Sequence, residues 1–110
     1  KETGQEQKRI YAEVKNSIVD FSSDATTQEL IDIVNGYKSG LMDNFKADYP
    51  KLSASQYRLA LYLFCGFSLS SISIFINSDL RNIYVYKSRL KSIIAKGESP
   101  RKEEYLRYFA

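Results

Sequence analysis

The apolar positions of the chain fall on helical spacings almost throughout. Tyr11, Val14, Ile18 and Phe21 are separated by three, four and three residues, which predicts one stripe of a helix over residues 5–20. Ser22-Ser23-Asp24 breaks that pattern. Thr26 followed by Glu29 then has the form of a capping box, in which each side chain satisfies a backbone N–H of the other residue. The helix predicted from there carries Leu30, Ile33, Val34, Tyr37, Leu41 and Phe45. Gly36 and Gly40 fall inside it, each costing about 1 kcal/mol relative to Ala, which allows a kink near them. Pro50 ends this helix by disfavouring helical geometry at Tyr49.

A second capping box, Ser53 with Gln56, opens a helix to about residue 65. Gly66-Phe67-Ser68 reads as a helix stop followed by a cap for the next helix, whose stripe is Ile72, Phe75 and Ile76. Asn77-Ser78-Asp79 is a tight turn. Asp79 is the expected N-cap of a helix over residues 80–95, its carboxylate accepting from free backbone N–H groups and complementing the helix dipole. Lys96-Gly97-Glu98 stops it. Ser99-Pro100 starts a last helix, with proline at the first helical position and Tyr105, Leu106, Tyr108 and Phe109 along it. Ile83-Tyr84-Val85-Tyr86 is rich in strand formers, but its flanks have helical period, so no strand is predicted. The fold class is all-α, with about six helices: two longer ones, then a four-helix unit containing a helix–turn–helix.

One stretch invites a different reading. Residues 59–78 are twenty positions without a charge, bounded by Arg58 and Asp79, which is the length of a membrane-spanning helix. The strongly apolar part covers only residues 59–67, and beyond it serines alternate with the Ile72/Phe75/Ile76 stripe. Two short helices fit that pattern better than one span, and no signal peptide is visible.

Composition narrows the chemistry. The 110 residues are enough for a modest core, and 44% hydrophobic with 26% charged residues is ordinary globular usage. There is no histidine and one cysteine, so Ser-His-Asp and Cys-His sites, His-based zinc sites and an internal disulfide are all excluded. No phosphate loop or metal loop is present, and the acidic pairs Asp20/Asp24 and Glu103/Glu104 have no nucleophilic or basic companion in a recognisable motif. The expectation is no enzyme, no cofactor, no metal and no small-molecule substrate. Cys65 follows Leu63-Phe64 in an apolar helix and reads as a buried packing residue. A chain opening on Lys1 is expected to be a fragment or a processed product.

Charge divides the chain. Residues 1–51 hold 7 basic and 9 acidic side chains, net −2, and residues 52–110 hold 9 and 4, net +5, which together make the total of +3. A basic C-terminal half points to an anionic partner. The helix over residues 80–95 suggests how one would be met. Wound at about 100° per residue, it gathers Ile83, Tyr86, Leu90, Ile93 and Ile94 on a core-facing stripe. Arg81, Tyr84, Val85, Ser88 and Ser92 lie opposite, flanked by Asn82, Lys87, Arg89 and Lys91. A face of mostly small residues lets a helix sit deep in the DNA major groove, with flanking cations reaching phosphates. In that arrangement Arg81, Tyr84, Val85 and Ser88 face bases. A plain solvated surface is the competing reading.

Leu52-Ser53, Gly66-Phe67-Ser68, Ile72, Ile76, Ile83, Leu90 and Ile94 stand in an order that resembles the LuxR/NarL-type helix-turn-helix domain, over residues 52–94. The sigma-factor region that reads promoters uses a similar unit. The run from Gly66 to Lys91 also resembles the C-terminal ends of bacterial tetratricopeptide-repeat regulators. The resemblance implies a recognition helix at residues 80–95. Its implied organisation is a helical linker or dimerisation segment (1–51) before a DNA-binding domain (52–110), in the C-terminal output part of a larger transcription regulator. It further implies double-stranded DNA as partner, contact with the transcription machinery, and a cytoplasmic location in a protein that is sometimes tethered to the inner membrane. A homodimer is expected mainly through the N-terminal helices, whose stripes Tyr11/Val14/Ile18/Phe21 and Leu30/Val34/Tyr37/Leu41/Phe45 repeat near 3.5 residues. The last helix, with Tyr105, Leu106 and Phe109, is a second surface that the resemblance suggests, and a monomeric core in which both stripes fold onto residues 59–67 is the competing reading. Ser70, Lys87, Arg89 and Lys91 are the expected phosphate-facing residues. Where the family usually has a Lys or Arg and a Glu, this chain has Ser70 and Ser71, and it has Asn82 and Tyr86 where Thr and His are common. Loss of charge before the turn removes phosphate contacts on which DNA affinity depends. The alternative is a helical protein-interaction or dimerisation module that keeps the fold without reading DNA.

Overall fold

Helix follows helix through residues 24–110, the part of the chain that the computed structural model describes. The elements are α1 (Asp24–Tyr37), α2 (Leu41–Asp48), α3 (Ala54–Phe64), α4 (Leu69–Ile76), α5 (Leu80–Lys96) and α6 (Lys102–Leu106), closed by a 3-10 turn (Arg107–Phe109). The fold of the described residues is all-α with six helices, as the periodicity predicts. The first predicted helix, over residues 5–20, lies outside them.

The second predicted helix is two. The chain leaves α1 through Lys38, Ser39 and Gly40, with Ser39 at φ 55° and Gly40 at φ 77°, both left-handed. The Gly40 N–H donates to the Asn35 carbonyl at 2.9 Å, closing α1 with a wide C-terminal turn. Gly40 has no side chain with which to cap α2. The Asn35 side chain takes that role from the previous helix, its Oδ1 accepting from the backbone N–H of Met42 at 2.9 Å and of Asp43 at 3.3 Å. The predicted Thr26 cap is also displaced. The backbone is already helical at Asp24, one of several cap-forming residues crowded into this segment.

The next stops and starts follow their sequence signals closely. Ser53 accepts from the Gln56 N–H at 3.2 Å while Gln56 Oε1 accepts from the Ser53 N–H at 2.8 Å, completing the capping box of α3. Gly66, at φ 86°, ends the segment after α3, and the Phe67 N–H reaches back to the Tyr62 carbonyl. Ser68 Oγ caps α4 by accepting from the Ser71 N–H at 3.1 Å. Asp79 holds the N-cap position of α5 in extended geometry, but its carboxylate makes no capping hydrogen bond. Pro100 does not open the last helix either. Arg101 is the N-cap residue, and Pro100 lies in the turn before it.

α3 is the central helix. Seven consecutive residues, Leu59 to Cys65, are buried, because α1, α2, α5 and the 3-10 turn all pack against it. That encirclement accounts for the part of the uncharged run over residues 59–65: a helix surrounded by protein needs no polar face. Among the described residues, no helix is long and apolar enough to cross a membrane. Around α3 the aromatic rings interlock. Phe45 meets Phe64 and Tyr105 edge-on at 5.3 and 5.1 Å, and Tyr108 meets Phe64 at 5.1 Å. Leu30, Val34, Leu41 and Phe45, from before residue 52, share one buried cluster with Leu59, Ile83, Leu90, Ile94 and Phe109 from after it. No break in the core marks the 51/52 boundary.

Candidate nucleic-acid interface

α4 and α5 are joined by three residues, and the geometry of that turn is fixed locally. Asn77 adopts left-handed φ 58°, ψ 52°. Its N–H donates to the Ile74 carbonyl at 3.1 Å and the Ser78 N–H to the Ser73 carbonyl at 2.9 Å. Asn tolerates this backbone better than most residues with a Cβ. α4 then anchors through fully buried Ile72, and α5 through Ile83, Leu90 and Ile94, all buried. The spacing of seven and four residues puts those three on one line of the helix.

The opposite line is open. Arg81, Tyr84, Val85 and Ser88 are exposed, as are Arg89 and Lys91 on the flanks and Ser70 on α4. α5 therefore brings the four expected base-facing residues to one surface. Lys87 departs from the expectation: it is half-buried, and its Nζ donates to the Ala110 backbone oxygen at 3.0 Å. Tyr86 and Ile93, expected in the core stripe, are not in the core. They are 41% and 38% exposed, and among the described residues no helix covers that flank of α5. Tyr86 and Arg89 line a depression of about 710 Å³ with Ser53, Gln56, Leu59 and Ile76, and Ile93 lines a second with Leu52 and Pro50.

No protein-family model, curated protein or solved structure matches the chain.

Two features lie outside the sequence argument. Ile74 is 75% exposed on α4, and Leu80 is exposed at the start of α5. Ile74 falls between the stripe positions Ile72, Phe75 and Ile76, so its exposure was available from the helical period. The other feature is a polar cluster around Asp48, at the end of α2. Asp48 accepts from Ser99 Oγ at 2.8 Å, from Arg101 Nε at 3.0 Å and Nη2 at 3.2 Å, and from the Tyr105 hydroxyl. The hydrogen-bonded guanidinium holds the Asp48 carboxyl well below the usual carboxylate range, and burial with the Asp48 hydrogen bond pushes the Tyr105 phenol up. Nothing local announces this cluster, in which Asp48 stands more than fifty residues from each of its partners in the chain.

Cys65 is buried, and burial pushes its thiol up to about 12. It is a neutral packing group at neutral pH, not a thiolate nucleophile. Among the described residues no group of three or more His, Cys, Asp or Glu is placed to hold a metal ion.

Proposed function

We propose that this chain binds duplex DNA through the outer face of α5 and acts as the output part of a transcription regulator. The observation that carries the reading is the two-sidedness of that helix. Ile83, Leu90 and Ile94 are buried, while Arg81, Tyr84, Val85 and Ser88 are exposed between cationic flanks. A helix that is anchored on one side and preceded by a three-residue turn can enter the major groove with its N-terminal half against base edges. In that pose Arg81 bonds a guanine, Val85 touches a thymine methyl, and Tyr84 and Ser88 complete the reading row. Ser70, Arg89 and Lys91 meet phosphates. Lys87 joins them only by giving up its bond to the Ala110 oxygen. A homodimer in the cytoplasm would place two such helices on half-sites about one DNA turn apart, where it would contact the transcription machinery.

Titration of the chain with random-sequence duplex DNA at two salt concentrations tests this. Binding at low salt that weakens steeply as salt rises is expected, with a logarithmic slope of about −0.9 per neutralised phosphate. Sedimentation of the same samples reads the oligomeric state. A folded protein without DNA affinity at low salt defeats the proposal. One observation favours the second reading, a protein-interaction module. Ile74 is 75% exposed on a helix without a single charge, where a DNA-binding scaffold helix would gain from cations.

A further inference from the structure

Beside the α5 outer face lies a second surface that does not depend on DNA binding. Tyr86 and Ile93 are seven residues apart on one flank of α5, about 10.5 Å along the axis, and both are exposed. Each lines a depression: one of about 710 Å³ floored by Leu59 and Ile76, and one of about 350 Å³ bordered by Leu52, Tyr49 and Pro50. Gln56 lines both, so the two form one groove between the N-terminal half of α3 and the flank of α5. Its apolar contacts are spaced for the i, i+7 row of a helix laid along it.

Charge selects the occupant. Of the charged side chains that line the groove, Lys51 and Arg89 are cationic, and the Asp48 carboxylate is already engaged by Arg101, Ser99 and Tyr105. Lys96 continues the row of Arg89 two turns further along α5. A carboxylate row beside the apolar row would therefore meet a cationic rim. The chain's own residues 1–23 hold four basic and four acidic side chains and bring no net negative charge. We propose that this groove docks an amphipathic helix of a partner protein, with an apolar row on Tyr86 and Ile93 and acidic residues toward Arg89 and Lys96.

The test uses the ¹⁵N-labelled full chain and two synthetic amphipathic peptides of about five helical turns. Both carry the same apolar i, i+3, i+7 row, and they differ in Glu or Lys along its border. The Glu peptide should shift the amides of Gln56, Tyr86, Arg89 and Ile93 and bind at least tenfold more tightly than the Lys peptide. Arg89→Glu should reverse that order. Ile93→Ser should weaken the Glu peptide at least tenfold while circular dichroism and melting temperature stay unchanged. Equal affinity for both peptides, shifts centred on Ile74 and Tyr84 instead, or no binding overturns the proposal. Peptide-induced shifts at Tyr11 to Phe21 would assign the groove to the chain's own N-terminal segment. Concentration-dependent groove shifts without peptide would assign it to a second copy. Either result also overturns it.

Discussion

At the scale of single residues, the contacts that set stability join positions far apart in sequence. Asp48, its side chain 14% exposed, ties the end of α2 to Ser99, Arg101 and Tyr105. Its carboxyl titrates lower in the folded chain than the ordinary value near 3.9 of an unfolded one. The unfolded state therefore binds the proton first on acidification. The contribution is present above about pH 4 and is lost as pH falls toward the folded value. Asp48→Asn should cost about 1–3 kcal/mol at pH 7, and urea unfolding at pH 7 and pH 3 should show the gap to the parent narrowing in acid. Gly97 illustrates a correct stop signal with an unreadable cause. Its φ of −73° suits any residue, but an added Cβ would lie 2.6 Å from Tyr49 Cε1. That ring is buried and held by the hydroxyl's bond to the Ile94 carbonyl at 3.1 Å. Gly97→Ala should therefore destabilise by roughly 1–3 kcal/mol through overpacking, read as a lowered urea midpoint with an unchanged slope.

At the scale of elements, legibility follows how local the cause is. The Ser53/Gln56 box, the Ser68 cap, the Gly66 stop and the buried line Ile83/Leu90/Ile94 depend on residues within a few turns of one another, and each stands as its spacing predicts. The break between α1 and α2 was only half legible. Gly40 marked the place, but Ser39 also turns left-handed, and the cap comes from Asn35. The exposure of Tyr86 and Ile93 was not legible, since it depends on which neighbour covers the flank of α5. The exposed row of Arg81, Tyr84, Val85 and Ser88 was legible as a face, whereas the tether on Lys87 was not. Within the proposed interface, Arg81 and Lys91 should behave differently. Arg81→Ala removes a base contact and should relax specificity by roughly 1–3 kcal/mol at one base pair. Lys91→Ala removes a phosphate contact and should weaken all sequences alike, flattening the salt slope by about one unit. Identical effects of the two variants on matched and scrambled sites would sink this division of roles.

At the scale of the whole molecule, the stripe that begins at Leu30 is mostly taken up by the core, with Tyr37 left exposed. Leu30, Val34, Leu41 and Phe45 are all buried in the core that also holds α5 and the final 3-10 turn. Self-association through those four residues would have to open the core; the other stripe of the expected dimer surface, Tyr11 to Phe21, lies outside the described residues. The same packing bears on the expectation of separate segments at 1–51 and 52–110, since residues before 52 supply one wall of the pocket that encloses α3. Without residues 24–51 the core loses Leu30, Val34, Leu41, Met42, Phe45 and Tyr49. Full burial of side chains of this kind stabilises by about 1.5–3 kcal/mol each. Their combined loss is on the order of 10 kcal/mol, comparable to the whole net stability of a small domain. The fragment 52–110 should therefore show no cooperative thermal transition by far-ultraviolet circular dichroism. The 110-residue chain should melt in a single transition, seen at the same temperature by tyrosine fluorescence. A fragment that melts cooperatively near the temperature of the intact chain would show that the α3–α5 unit stands alone and that α1 and α2 merely lie against it.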